Sequence, residues 1–304
     1  MEIKFKKPQL EDKELMKRYF AMQENKSCEY SFANILLWCR FYNVVYAVIH
    51  DMLVFMSDDE GAEVSFAFPM GKKENLKEVL DTLLRWCEER NLEFHMHSIS
   101  REQFAEIEAL YPGRFSVEYD RDDADYVYER EKLAALSGKK YHGKKNHVNK
   151  FKRLYPNWSY EPITRENVEE CFQMALKWRC INGCDADEEK NAEMCVTLNS
   201  LRLLEELDLQ GGLLRANGEV VAFSIGEPLN QDTFVVHIEK AFPDVEGAYT
   251  MINQQFVLHE TEGFTYINRE EDTGEEGLRQ AKLSYRPVFL VEKGVVTQKK
   301  EGEL

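Results

Sequence analysis

The chain has 304 residues, 43% of them hydrophobic and 31% charged, with a formal net charge of −16. That length and apolar content suit two folded domains and exclude an intrinsically disordered chain. The acidic balance excludes general DNA binding, because non-specific affinity for nucleic acid rests on phosphate contacts.

No apolar run reaches the roughly 18 residues of a membrane span. Met1–Leu15 lacks an apolar signal core, so a cytoplasmic protein is expected. Seven cysteines is an odd number, consistent with reduced thiols. Cys180-x3-Cys184, with Cys171 and Cys195 nearby, lacks the spacing of a zinc knuckle pair. His95 and His97 would only share one strand face, so no metal is expected.

In chain order, residues 9–22 read as a helix. Glu29–Phe41 reads as a second, with Phe32, Leu36 and Cys39 at helical spacing. Strand-like runs follow at Val44–His50, Met52–Met56 and Val64–Phe68, with a turn signal at Asp58–Gly61. Leu76–Arg90 is strongly amphipathic, with a stripe of Leu76, Val79, Leu80, Leu83, Leu84 and Cys87. Leu92–His97 reads as a strand and Glu102–Tyr111 as a helix. Arg114–Tyr119 and Asp125–Tyr128 read as two strands across an acidic turn.

The second half replays this order. Ser159–Pro162 is a short strand, and helices fit Val168–Cys180 and Glu188–Leu207, the first with Thr164 as N-cap. Strands fit Gly212–Ala216, Val220–Glu227 and Thr233–Lys240, with Asn217-Gly218 as a hairpin turn between the first two. A helix at Gly247–His259, a strand at Phe264–Asn268, a helix at Glu275–Ser284 and a strand at Val288–Lys293 complete the chain. The repeat of element order places two α/β domains at residues 1–136 and 137–304.

A basic stretch opens the second domain. Gly138–Arg153 holds Lys139, Lys140, Lys144, Lys145, Lys150, Lys152 and Arg153 and no acid. In helical phase, Tyr141, Val148, Phe151 and Tyr155 share an apolar face. Lys139, Asn146, Lys150 and Arg153 fall near the opposite face. This cationic surface, with Lys144, is a candidate for binding an anion or tRNA; a solvated basic face is the plain alternative. Gly138-x4-Gly143-Lys144-Lys145 resembles a phosphate-binding loop, but Lys145 stands where that chemistry needs a hydroxyl for magnesium.

Several blocks together resemble the C-terminal domain of bacterial phosphatidylglycerol lysyltransferases. They are Gly138–His142, Asn146–Phe151, His237–Ala241, Glu246–Tyr249, Tyr266–Asp272 and Gly277-Leu278-Arg279-x-Ala281-Lys282. The resemblance implies two tandem GNAT-like acyltransferase domains with mixed, mostly antiparallel sheets, similar to Fem-type aminoacyl transferases. It also implies an acyl- or aminoacyl-transferase acting on an amine or hydroxyl. The donor would be an acyl-coenzyme A or an aminoacyl-tRNA; the coenzyme A thioester would be a substrate, with no tightly bound cofactor.

Such a reaction needs a donor anchor, a proton acceptor and a stabiliser of the developing oxyanion. The candidate anchor for a donor pyrophosphate is the turn Ala241–Tyr249, with Gly247, Ala248, Tyr249 and Thr250 at a helix N-terminus. The expected pattern is altered there to Asp244-x-x-Gly247-x-Tyr249. Glu270 is the first candidate for taking the acceptor's proton, with Asn268 orienting the acceptor. Glu239 is the second, with His237 as its partner on the same strand face. Arg279 and Lys282 are candidate phosphate or carboxylate ligands, or else ion-pair partners of Glu275 or Glu276. A non-catalytic binding module with the same fold and a nucleic-acid-binding regulator are the competing readings.

Overall fold

In a computed structural model the chain is described over residues 3–59 and 63–299. It divides into two compact units. The first is Met1–Asp125 with Glu271–Gly274 and Leu290–Leu304; the second is Tyr126–Glu270 with Glu275–Phe289.

In the first unit, α1 (Lys13–Phe20) and α2 (Phe32–Trp38) precede β1 (Val45–Ile49), β2 (Met52–Asp59), β3 (Glu63–Phe66) and the short β4 (Met70–Gly71). Then come α3 (Leu76–Glu88), β5 (His95–Ile99), α4 (Arg101–Leu110) and β6 (Phe115–Glu129), which passes into the second unit. His50 and Asp51, at φ 48° and 58°, make the tight turn between β1 and β2. Two left-handed residues match the right-handed twist of the flanking strands. β3 and β5 run parallel, with Ser65 opposite His95, so they need a crossover, which α3 supplies. Leu76, Val79, Leu80, Leu83 and Cys87 of α3 join the buried core of this unit.

Two expectations change here. The acidic segment between the strands expected at Arg114–Tyr119 and Asp125–Tyr128 is no turn, because β6 is one continuous strand of 15 residues. Its charges are accommodated from the side: the Thr273 N–H donates to the Asp122 carbonyl, and Arg121 pairs with buried Asp272. Of the turn read at Asp58–Gly61, Asp58 and Asp59 belong to β2, while Glu60 and Gly61 lie outside the described residues.

The second unit carries α5 (Arg130–Ala135), α6 (His142–Leu154), β7 (Ser159–Pro162), α7 (Val168–Ile181), α8 (Glu188–Arg202), β8 (Gln210–Ala216) and β9 (Glu219–Pro228). It continues through β10 (Thr233–Ala241), α9 (Ala248–Glu260), β11 (Tyr266–Asn268) and α10 (Glu276–Leu283). The last strand, β12 (Phe289–Gln298), belongs to the first unit from Leu290 on and pairs antiparallel with β5 there. Strand order is β1-β2-β3-β5-β12-β6 in the first unit and β11-β10-β9-β8-β7 in the second. Within each unit a pair of helices (α1 and α2; α7 and α8) leads into three antiparallel strands, then a helix, a strand parallel to the third of the three, and a further helix.

Asn217 and Gly218 form the expected β8–β9 turn, at φ 53° and 86°. Thr164 opens the turn that leads into α7: its hydroxyl accepts from the Glu166 N–H, its carbonyl accepts from the Val168 N–H, and its own N–H donates to Asn167 Oδ1. α9 is buried on most sides, through Ala248, Met251, Ile252, Phe256 and Val257, and it buries the polar Thr250, Asn253 and Gln255 with them. In α6, Val148 and Phe151 are buried while Asn146 and Arg153 are exposed. No helix among the described residues is long and apolar enough to cross a membrane.

Candidate active site

The site lies where β10 and β11 stop pairing. The two strands run parallel from Thr233 opposite Tyr266 to Val235 opposite Asn268. β11 then ends, while β10 continues to Ala241 beside β9. The register of β10 on β9 shifts between Val236 and Ile238, which makes His237 the extra residue of a β-bulge. A bulge re-aims the side chain it carries. Here it sets His237 between two carboxylates: Nδ1 is 2.7 Å from Glu270 Oε1, and Nε2 is 3.2 Å from Glu227 Oε1. Burial works against charge on this imidazole, but the hydrogen bonds to Glu227 and Glu270 outweigh it and raise its pKa to about 10. At neutral pH His237 is an imidazolium, a brace rather than a base.

Glu270 sits in the left-handed region at φ 56°, an unfavourable conformation for a long side chain. Four contacts hold it there. Asn268 Oδ1 accepts from the Glu270 N–H at 2.7 Å. The Tyr126 N–H and the Lys282 ammonium both donate to the Glu270 carbonyl, and its carboxylate meets His237. Asn268 is therefore spent on the chain's own turn. Lys282 is also spent: it is buried and donates to the carbonyls of Arg269 and Glu270. Arg279 is half-buried on α10.

Glu239 stands in a different setting. Its Oε1 accepts from Arg269 Nη2 at 3.0 Å, and its Oε2 accepts from Asn253 Nδ2 of α9 at 3.0 Å. Arg269 lies 4.8 Å from the ring centre of Tyr285 and 5.7 Å from that of Tyr128. Burial opposes the Arg269 charge, and Glu239 and the two tyrosines hold it on. Lys144, from the first turn of α6, rests 3.8 Å over the same Tyr285 ring. Burial, reinforced by Arg269 and opposed by Glu239, pushes Lys144 down to about 8. Tyr285, itself pushed up to about 12 by burial, hydrogen-bonds Thr250. Asn253 Oδ1 and Arg269 Nη1 are buried without a hydrogen-bond partner among the described residues, so each asks for a water or a ligand atom.

The turn before α9 differs from an open anion seat. Gly247, at φ 83°, faces α6: a Cβ there would lie 2.6 Å from the His147 carbonyl oxygen and 3.1 Å from Phe151 Cβ. The close backbone approach expected for a pyrophosphate is made by α6 instead. Ala241, Ala248 and Thr250 are buried. Tyr249 is partly exposed, with its hydroxyl near Trp178 and Ala241. Of the candidate anion ligands in and just before α6, Lys150 pairs with Glu246, and Lys139, Asn146 and Arg153 are exposed to solvent. Lys144 alone of that candidate set joins the Glu239 cluster.

The family model described as "Phosphatidylglycerol lysyltransferase, C-terminal" matches residues 20–296. The chain belongs to this family. A conserved protein of unknown function from Bacteroides thetaiotaomicron has a solved structure similar to this one, 40% identical, with a TM-score of 0.93. That match covers 98% of this chain and 100% of the other. The L-PGS structure from Bacillus licheniformis is 14% identical with a TM-score of 0.64, covering 95% of this chain and 92% of that one. A tandem GNAT protein from the clavulanic acid biosynthesis pathway is 7% identical with a TM-score of 0.51, covering 99% of this chain and all of that one. At such identities these two likenesses show the fold, which is a pair of tandem GNAT-like domains. An uncharacterised protein of Mycoplasmoides gallisepticum is 25% identical over 190 residues, spanning 60% of this chain and 59% of that protein's length.

For a member of the lysyltransferase family, the sequence blocks already contained Arg269 and Glu239, but not their partnership. Asn253, Glu227 and Tyr285 were missed. The carboxylate ending the apolar run of β9 is the signal that could have found Glu227; Asn253 stands among other polar residues of α9 and gives no such signal. A second polar cluster lies in the first unit, where Cys28, Asp125 and Glu271 come within 4.8 Å of one another, the one such grouping among the described residues. The Lys293 ammonium sits among them, 2.7 Å from Asp125 and 3.0 Å from Glu271. That cation fills the place a metal ion would take.

Proposed function

We propose that the chain is an aminoacyltransferase that moves an aminoacyl group from an aminoacyl-tRNA to an amine or hydroxyl acceptor. The observation that carries the reaction centre is the Glu239–Arg269–Asn253 cluster beside Lys144, at the point where β10 and β11 part. The family membership supports the transfer of an aminoacyl group. The closed turn at Gly247 supports tRNA over coenzyme A, because the helix N-terminus that would hold a pyrophosphate is packed on the α6 backbone.

In this reading Glu239 orients the acceptor and receives its N–H or O–H as a hydrogen bond. Arg269 and Asn253 fix the carboxylate in one rotamer, which spares the entropy of ordering it at each turnover. The Asn253 oxygen is positioned to take a hydrogen bond from the donor's amino group. The His237 imidazolium, between Glu227 and Glu270, keeps the bulge and the left-handed turn in register and so sets where Glu239 and Arg269 stand. Glu239, not Glu270, is the carboxylate that meets the acceptor.

The test uses hydroxylamine as a surrogate amine acceptor. The purified chain is mixed with charged tRNA, and aminoacyl hydroxamate is measured; in parallel, thiol release from acetyl-coenzyme A is followed. Hydroxamate formation that requires Glu239 is the expected result. Thiol release alone would move the donor to coenzyme A. Neither product would sink the transferase reading in favour of a binding module.

A further inference from the structure

We propose that Lys144 is the acid–base residue of the transfer reaction, donating a proton to the leaving oxygen of the donor ester. The inference rests on the transferase reading above and adds to it the group that handles the proton. Among the described residues the Lys144 ammonium makes no hydrogen bond and no ion pair; its contact is the Tyr285 ring at 3.8 Å. A half-buried ammonium with three free N–H donors is a costly arrangement unless something else uses them.

The groups facing it are Tyr285 after α10, Arg269 after β11 and Glu239 on β10. The Arg269 charge repels it and Glu239 only partly compensates, so its pKa falls to about 8. A proton donor works best with a pKa close to the operating pH. Arg269, held charged by Glu239, cannot exchange a proton in this range, and the braced His237 is far from neutral titration. Lys144 is the group at the cluster that can both hold and release a proton near pH 8.

The bookkeeping is closed. The acceptor's nitrogen or oxygen forms a bond to the donor carbonyl carbon. The bond from that carbon to the ribose oxygen breaks, and Lys144 protonates the departing oxygen. The proton shed by the acceptor then restores the ammonium. No oxidant, reductant or metal takes part.

Two measurements test this. The first needs no substrate: the chain is labelled with trace acetic anhydride from pH 6 to 10 beside N-acetyl-lysine amide, and acetylation of Lys144 is read by mass spectrometry. Half-maximal reactivity near pH 8, more than 1 pH unit below the standard, is expected; a profile matching the standard overturns the proposal. The second compares Lys144→Met and Lys144→Arg in the hydroxamate assay with charged tRNA. Both should lose about 10²–10⁴-fold in kcat, with KM for tRNA nearly unchanged for the arginine, which keeps the charge. Wild-type turnover in either variant overturns the proposal. If Lys144 titrates near 8 but the wild type makes no hydroxamate, the transferase reading fails first, and the catalytic role of Lys144 falls with it.

Discussion

Arg269 and Glu270 are neighbours in the chain and turn to opposite partners. Arg269 donates to Glu239 at 3.0 Å, and Glu270 accepts from His237 at 2.7 Å. The left-handed backbone of Glu270 makes this possible, since it turns one residue back toward the His237 bulge while its predecessor reaches along β10. Two similar carboxylates, Glu270 in the turn beyond β11 and Glu239 on β10, thereby acquire different work: the first is locked into a brace, and the second is presented between an arginine and an asparagine.

Replacing each carboxylate separates those two kinds of work. Glu239→Gln keeps the shape and loses the charge, and is expected to lower kcat in the hydroxamate assay by about 10²–10⁴-fold. Glu270→Gln removes one side of a buried ion pair, so its main effect should be a lower melting temperature, with kcat reduced less than tenfold. The comparison is made on freshly purified proteins of equal circular dichroism. A larger kcat loss in Glu270→Gln than in Glu239→Gln would make Glu270, not Glu239, the carboxylate that meets the acceptor.

His237 makes stability depend on pH in a known direction. Its folded-state pKa is raised from 6.5 to about 10. The stabilisation is therefore complete below pH 6.5, shrinks as pH rises, and is gone above about 10. Over that window it is on the order of a few kcal/mol. Melts of the wild type and His237→Gln should differ most at pH 6 and converge toward pH 10.5. A gap that is constant with pH would mean that His237 is neutral in the fold.

Most of the fold was legible because its signals are local. The stripe of α3, the Asn217-Gly218 turn and the burial of Val148 and Phe151 in α6 follow from period and turn chemistry. The continuous β6 did not, because Asp120, Asp122 and Asp123 read as a turn until Arg121 finds Asp272 and Thr273 finds the Asp122 carbonyl, some 150 residues away. At the site, His237, Glu239 and Lys144 were legible as residue types in meaningful blocks. Their pairings were not. Nothing in strand periodicity announces a bulge at His237, and the alternation rule put His237 and Glu239 to work together when the bulge gives them separate partners. Gly247 was read as making room for a ligand; the room is for the His147 carbonyl.

The Lys293 cluster of the first unit predicts a stability defect with a pH signature. Lys293 is buried among Asp125, Glu271, Glu29 and Cys28. Burial pushes Asp125 up to about 7 although Lys293 pulls the other way, and it keeps the Cys28 thiol protonated. Lys293→Met leaves carboxylates buried without a cation, which costs about 3–5 kcal/mol. The deficit should shrink as pH falls from 8 to 5, because the stranded carboxyls can then take up protons. Adding Asp125→Asn should recover part of the loss at pH 8. A Lys293→Met protein that melts like the wild type at pH 8 would show that the ammonium contributes nothing.

Gly247 and Gly143 give a matched pair on the α6–α9 contact. Gly247 caps α9 at φ 83°, where an alanine is strained by about 1–2 kcal/mol from its backbone alone. Its new Cβ would also sit 2.6 Å from a backbone oxygen, that of His147, which cannot swing aside as a side chain tip could. Gly247→Ala must therefore push α6 away from α9, at a further cost, and α6 carries Lys144. Gly143 lies in α6 with nothing within 4 Å of its added Cβ. Alanine there lowers the entropy of the unfolded chain and should stabilise by about 0.5–1 kcal/mol. Urea melts should place Gly247→Ala a few kcal/mol below the wild type and Gly143→Ala slightly above it. The anhydride profile of Lys144 should move toward that of free lysine in Gly247→Ala and stay put in Gly143→Ala, because only the first displaces the helix that holds the amine over Tyr285. If Gly247→Ala is as stable as the wild type, the α6 backbone does not close that turn, and a pyrophosphate seat at the α9 N-terminus returns as the better account of the glycine.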